Sequence, residues 1–285
     1  MIPATFDYVR PDSLADAVSA LSGGGEDAKV LAGGQSLMPM LRVRLSAPTL
    51  LVDCSRLSEL RGISDDGDAI VIGAATPHHD VMHDPLVMAH APLVARTTAM
   101  VADPATRHRG TFGGSLAHAD PAGDLPTVSL VLGAQMVLAG PDGRRTVGAS
   151  DFFVDYFTTA LEPDEILVSV RIPKLGVGWG YDYQKFHRTA QAWAIVGVAA
   201  AVRRENGTIA EARVGLTNMA ASPGRAAATE AALVGAAATD DGIAAAAAHA
   251  ADGTNPTSDL HAKADFRQHL ARVLTGRAVR VATGV

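Results

Sequence analysis

Two short segments of this 285-residue chain combine glycine with hydroxyl side chains in a way that suits phosphate: Gly33-Gly34-Gln35-Ser36 and Gly110-Thr111-Phe112-Gly113-Gly114-Ser115. Consecutive glycines lack the Cβ that would hold a ligand off the backbone. A helix starting just after them offers N–H groups without an intrahelical partner. The first segment lies between an apolar run and a helical stretch, yet matches neither the GxGxxG fingerprint nor the Walker A loop. Taken singly, it is most simply an ordinary tight turn. Two such turns could grip a diphosphate from both sides without a lysine or a metal, which points to a dinucleotide such as FAD.

Other residue types are weaker signals. His78-His79 and His118-x-Asp120 contain metal-ligating groups. On a strand, His78 and His79 would face opposite ways, and His118 with Asp120 lacks a third ligand at a diagnostic spacing. Turn-stabilising and surface roles are expected for them, and no metal. Asp120-Pro121 and Asp124-Leu125-Pro126 read as turns, with Asp124 also a candidate acceptor for ribityl or ribose hydroxyls. G-x-S-x-G, H-E-x-x-H and a nucleophile–base set are absent. Cys54 is the one cysteine, so this chain cannot itself hold a disulfide, an iron–sulfur cluster or a thiolate zinc. Following an apolar run, Cys54 reads as a small buried residue.

The elements that must position these groups can be read from periodicity. Apolar residues at Leu14, Ala17, Val18 and Leu21 predict a helix over 11–22, stopped by Gly23-Gly24-Gly25. A strand at 29–32, a helix at 37–45 with Pro39 in its first turn, and strands at 49–52 and 69–72 complete a small α+β unit. A helix is predicted over 85–103 and strands near 135–139 and 166–172. The stretch 174–180 is the expected domain boundary, because Pro173 closes a strand and three glycines follow. Beyond it, strands are predicted at 192–203 and 212–217. Short alanine-rich helices broken at Gly235 and Gly242 follow, then a last helix over about 259–275 with Phe266, Leu270, Val273 and Leu274 inward.

Composition sets the class. Lys+Arg total 24 against Asp+Glu 30, a net charge of −6. The isolated pairs Arg144-Arg145 and Arg203-Arg204 make no basic patch, so neither nucleic acid nor an anionic membrane is the expected partner. Hydrophobic residues at 48% and charged at 19% describe a folded chain of about two domains. No apolar signal core and no run of about 18 apolar residues is present, so a cytoplasmic protein without a transmembrane segment is expected, at most peripheral to the inner face of the membrane.

The joint pattern resembles the FAD subunits of the molybdenum hydroxylases, the xanthine dehydrogenase superfamily. Ala32 to Leu37 with Pro39, Arg44-Leu45 and Leu51-Val52-Asp53 is similar to their first flavin motif. Thr111 to Ser115 with Ala119-Asp120-Pro121 and Asp124-Leu125-Pro126 is similar to their second. Arg171-Ile172-Pro173, Tyr183-Gln184-Lys185, Gly215-Leu216-Thr217-Asn218 and Phe266-Arg267 extend the likeness over the chain. Spacing and length are most similar to the carbon monoxide dehydrogenase branch.

The resemblance implies an α+β fold: a two-part, PCMH-type (vanillyl-alcohol-oxidase-like) FAD domain over residues 1–177 and a smaller C-terminal antiparallel-sheet and helix domain over 178–285. It implies noncovalent FAD here, with molybdenum cofactor on a large partner subunit and two 2Fe–2S clusters on a small one, as a dimer of heterotrimers. Electrons would run through the clusters and FAD to a quinone or other acceptor, so the redox centre is FAD and no catalytic side chain is expected. Carbon monoxide is the first-choice substrate, with N-heterocycles or aldehydes as alternatives. By the same resemblance, Ala32, Gly33, Gly34, Gln35, Ser36, Gly110, Thr111, Gly113, Gly114 and Ser115 would line the diphosphate and its sugar. Val101 and Ala102 would lie by the flavin, Asp124 at a ribityl or ribose hydroxyl, Leu167 and Lys185 near the isoalloxazine, and Trp193 over one ring face. Phe112 and Ser115 depart from the usual aliphatic residue and asparagine. A self-sufficient flavin oxidase and a noncatalytic FAD-dependent scaffold are the readings from other classes.

Overall fold

The computed structural model describes residues 2–285. Ser13 opens the first helix, its hydroxyl accepting from the Asp16 N–H at 3.1 Å. The expected face of Leu14, Ala17, Val18 and Leu21 is buried. This helix, α1 (Leu14–Gly24), packs with a parallel sheet of β1 (Asp7–Val9), β2 (Ala28–Leu31) and β3 (Leu50–Asp53), ordered β1-β3-β2. Cys54 is buried in the same core, as expected. Between β2 and β3 lies α2, Leu37–Arg42, three residues shorter than its apolar pattern.

The second part is built on five antiparallel strands. β4 (Ile63–Asp66), β5 (Ala69–Gly73), β6 (Gln135–Gly140), β7 (Gly143–Gly148) and β10 (Ile166–Pro173) are ordered β4-β5-β10-β6-β7, and β8 (Phe153–Asp155) with β9 (Thr158–Thr159) forms a side ribbon. Short helices connect the strands: α3 (His78–His83), α4 (Pro85–His90), α5 (Pro92–Ala99), α6 (Pro104–Arg107), α7 (Phe112–His118), α8 (Asp124–Leu132) and α9 (Ala149–Phe152). The single helix expected over 85–103 is therefore two, α4 and α5, with α6 starting only beyond it. Pro92 and Pro104 each lack an N–H and each restart a helix at its first turn. The break after Ala99 lets residues 101–103 turn aside, with Ala102 left-handed at φ 44°.

The C-terminal sheet is antiparallel, β11 (Trp179–Phe186), β12 (Val196–Glu205), β13 (Thr208–Thr217) and β14 (Gly224–Arg225). Strand β12 begins four residues later than predicted, because Ala192 and Trp193 belong to a loop. The β12–β13 hairpin turns on Asn206 and Gly207, both at positive φ, and strand β13 starts earlier than the apolar pattern suggested. Helices α10 (Ala227–Leu233), α11 (Asp240–Ala247) and α12 (Ala264–Thr283) follow. Gly242 does not break a helix. It sits in the first turn of α11, where its N–H meets the Thr239 capping hydroxyl. The last helix starts at 264 rather than 259 and ends at Gly284 (φ 72°), since Ala278, Val279 and Ala282 stay buried against the sheet. Phe266 stands 43% exposed, edge-on to Phe186, rather than in the core.

Helix α8 joins the halves. It packs on α5 on one side and on β12 and β13 on the other. A Cβ on Gly215 would stand 2.6 Å from Val131 and 2.7 Å from Thr127, so only glycine allows this approach. Arg96 adds an ion pair to Asp182 at 2.6 Å across the same junction.

Candidate functional site

Both glycine segments reach the same place, but they do different things. The second is zipped by its own backbone to the segment after β5: Phe112 N–H donates to Thr76 at 3.0 Å and Gly113 N–H to Ala74 at 2.9 Å. Gly114 N–H donates to the Thr111 hydroxyl at 3.1 Å and Ser115 N–H to the Thr111 carbonyl at 3.1 Å. Gly110 N–H donates to the Thr106 carbonyl at 2.7 Å, so Thr111 keeps the segment's one N–H without a partner among the described residues. In the first segment the N–H groups of Gly33, Gly34, Gln35 and Ser36 have no partner among the described residues, and Ser36 caps nothing. Gly34, at φ 71°, turns the chain so that these groups follow one another. Gly33 is glycine for a further reason. A Cβ there would overlap the Arg109 carbonyl, because the two segments touch backbone to backbone.

A cleft of about 660 Å³ lies at this junction, within the size range of small-molecule cofactor sites. The structure brings the predicted residues together on its wall: Ala32 to Ser36, Val101, Ala102, Gly110, Thr111, Gly114, Ser115, Asp124, Lys185 and Trp193. Two predicted residues do not line it. Gly113 is buried with its Cα against Ala74, where a Cβ would overlap that residue, so its glycine serves packing. Leu167 lies in the core, 6% exposed, on β10 at the edge of a register shift against β6. Trp193 stands on the rim, 55% exposed, in a loop tied down by Gln191 donating to Asp103 at 2.6 Å.

The floor carries a buried polar chain. The Lys185 ammonium donates to Asp124 at 2.7 Å and to the Met100 carbonyl at 3.2 Å. Tyr183 donates to the other Asp124 oxygen at 2.7 Å, and its own oxygen lies 3.1 Å from the Thr217 hydroxyl, which meets Thr127 at 2.7 Å. Burial pushes the Asp124 carboxyl up, against the pull of Lys185 and Tyr183, and burial beside Asp124 pushes the Tyr183 phenol far up. Lys185 has three donors and uses two within the protein.

Sequence reasoning did not single out Tyr183 or His78 as site residues. For Tyr183 a signal existed, since residues 183 and 185 on one strand share a face. Position 197 answers it with glycine, where a Cβ would overlap the Tyr183 hydroxyl. The His78-His79 pair lies in the first turn of α3 rather than on a strand. His78 turns inward beneath the cleft, and His79 turns outward to stack on His108 at 3.9 Å between centroids. His118 lines the cleft beside Phe157 rather than the open surface, while Asp120 accepts from the Ala122 N–H at 2.8 Å, the expected turn. Among the described residues, no group of three or more His, Cys, Asp or Glu is placed to hold a metal ion.

Residues 4–175 match the family described as the FAD binding domain in molybdopterin dehydrogenase. The chain belongs to this family. Residues 181–282 of this molybdopterin-dehydrogenase flavoprotein match the CO dehydrogenase flavoprotein C-terminal domain. It is 40% identical over 282 residues to the carbon monoxide dehydrogenase medium chain of Hydrogenophaga pseudoflava, covering 99% of this chain and 98% of that one. It is 36% identical to the 6-hydroxypseudooxynicotine dehydrogenase complex subunit alpha of Paenarthrobacter nicotinovorans, covering 98% and 95%. A solved carbon monoxide dehydrogenase from Hydrogenophaga pseudoflava, lacking the Mo-pyranopterin moiety of its molybdenum cofactor, superposes with a TM-score of 0.97 at 43% identity, over 100% of this chain and 99% of that one. Quinoline 2-oxidoreductase from Pseudomonas putida 86 gives 0.95 at 36%, over 100% and 99%. The flavoprotein is thus the FAD-binding subunit of a carbon monoxide dehydrogenase-type molybdenum hydroxylase, an oxidoreductase component with an α+β fold. Among its described residues, no helix is long and apolar enough to cross a membrane.

Proposed function

We propose that the cleft binds FAD noncovalently and that this chain relays electrons. They would arrive from 2Fe–2S clusters on a small partner subunit, fed by molybdenum cofactor on a large one, and leave for a quinone or other external acceptor. The observation that carries the reading is what lines the cleft: the four consecutive residues Gly33 to Ser36 with free N–H groups, and the Lys185 ammonium. The N–H row suits a diphosphate, because each group can donate to a charged oxygen without a lysine or metal. The ammonium, spared one donor, favours whatever ligand state carries more negative charge. Bound FAD supplies reversible one- and two-electron chemistry. Trp193 covers a ring face and excludes water, and the fold divides at 177/178 so that both halves contribute to one site. Asp124, already held by Lys185 and Tyr183, is not free to act as a general base. That disfavours a self-sufficient oxidase with its own substrate.

Carbon monoxide is the substrate we propose for the complex, a cytoplasmic dimer of heterotrimers, because the matched C-terminal family and relatives at 40% identity carry that name. A second reading, oxidation of an N-heterocycle or aldehyde, is favoured by nearly full-length likeness to relatives named for nicotine and glyceraldehyde. Purification of the native complex tests both. Flavin absorbance near 450 nm, molybdenum and 2Fe–2S signals in the copurified subunits, and bleaching of the flavin by carbon monoxide support the first reading. Bleaching by a heterocycle or aldehyde alone supports the second. Purified chain that takes up no flavin overturns both.

A further inference from the structure

His78 is 3% exposed, in the wall of the cleft beneath the second glycine turn. Its backbone is pinned there by an N–H bond to the Gly110 carbonyl at 2.9 Å. The ring Nδ1 is sealed from solvent and has no hydrogen-bond partner in the protein. The opposite edge faces the turn: a Cβ on Gly110 would stand 3.0 Å from Cδ2 and 3.3 Å from Nε2. Burial and the nearby Arg107 guanidinium hold the imidazole at a pKa of about 4, so it is neutral at pH 7. A neutral imidazole places one proton on one of two nitrogens. An orphaned buried N–H is rarer and worse than an under-satisfied acceptor, so sealed Nδ1 is the bare nitrogen and Nε2 carries the proton. That proton lies on the edge turned to Gly110, beside a stretch whose own N–H groups, from Phe112 to Ser115, are all consumed.

We propose that His78 is a cofactor-contacting residue whose Nε2–H donates to a diphosphate oxygen of FAD from the side of the second glycine turn. The assignment rests on the FAD reading above. It adds one neutral side-chain donor to a turn whose backbone N–H groups, Thr111 apart, are already spent.

Flavin-stripped full-length chain provides the test, through FAD affinity from quenching of flavin fluorescence and through the His78 tautomer from ¹⁵N NMR. His78→Gln, which keeps a donor, identifies the resonance. The expected results are an Nε2–H tautomer in the stripped chain and a displaced Nε2 signal once FAD is added. FAD affinity should fall about 10- to 100-fold in His78→Phe, the worth of one bond to a charged acceptor, and stay within about threefold of the parent in His78→Gln. An Nδ1–H tautomer, an Nε2 signal indifferent to FAD, or equal affinity in parent and both variants would each make His78 a core residue only. The NMR result stands even if His78→Phe does not fold. A parent chain that binds no FAD would overturn the FAD reading itself, and this assignment with it.

Discussion

Lys185 and Asp124 meet as a 2.7 Å ion pair with side chains 2% and 3% exposed, and the pair crosses from the C-terminal sheet to the helix that anchors it. Removing one partner leaves the other in a dry site, a loss of about 3–5 kcal/mol, whereas removing both together costs far less. Lys185→Met should lower the unfolding free energy by that amount, and adding Asp124→Asn should recover at least half. Urea unfolding of the four proteins in the cycle measures it. In FAD-loaded protein, Lys185→Met should also lower the flavin midpoint potential, read by redox titration.

Gly33→Ala should cost about 1–3 kcal/mol, because its Cβ meets the Arg109 backbone, which cannot move without separating the two turns. Gly110→Ala should be milder, since its nearest neighbour is the His78 ring at 3.0 Å. Unfolding midpoints of the stripped chain give the order. If Gly110→Ala is the more damaging, the backbone contact at Gly33 is not what requires glycine.

Thr111 caps α7 through its hydroxyl on the Gly114 N–H, so Thr111→Ala should lose about 1 kcal/mol and Thr111→Ser almost nothing. Urea midpoints separate them, and an equal loss in both would point to the methyl group.

His78 gives a pH signature. Its folded pKa of about 4 lies below the ordinary 6.5, so the folded state binds fewer protons than the unfolded state between those values. The stability from burying it neutral is full above pH 6.5 and is lost as pH falls towards 4, by roughly 3 kcal/mol. The parent chain should therefore lose more stability than His78→Phe between pH 7 and 4.5, measured by urea unfolding without flavin.

Trp193 is 55% exposed, so Trp193→Ala should leave the stripped chain's stability within about 0.5 kcal/mol. Loss of its stacking should weaken FAD by roughly 2- to 10-fold. Fluorescence titration reads the affinity, and a large fall in unfolding midpoint instead would mark Trp193 as structural.

Short-range features were legible in the residues themselves. The Ser13 cap, the apolar face of α1 and the turn after Asp120 depend on neighbours within a few positions, where hydrogen-bond geometry and φ limits act directly. Both glycine segments and the family likeness belong to the same level. Asn206-Gly207 and the shared face of Tyr183 and Lys185 were equally readable, and α5 could have been separated from α4 at Pro92. What only the tertiary structure decided is which backbone groups remain free once the chain has packed. Thr111 to Ser115 resembles Gly33 to Ser36 in composition, yet Thr76 and Ala74 take the Phe112 and Gly113 N–H groups and Thr111 takes the next two, while the first turn meets no such acceptors. Gly33 and Gly113 answer to backbones far away in sequence, Leu167 is drawn into the core by strand pairing, and His78 is turned under the cleft by the short helix α3. Each of these depends on which distant segment comes to lie alongside, and residue spacing along the chain does not carry that information.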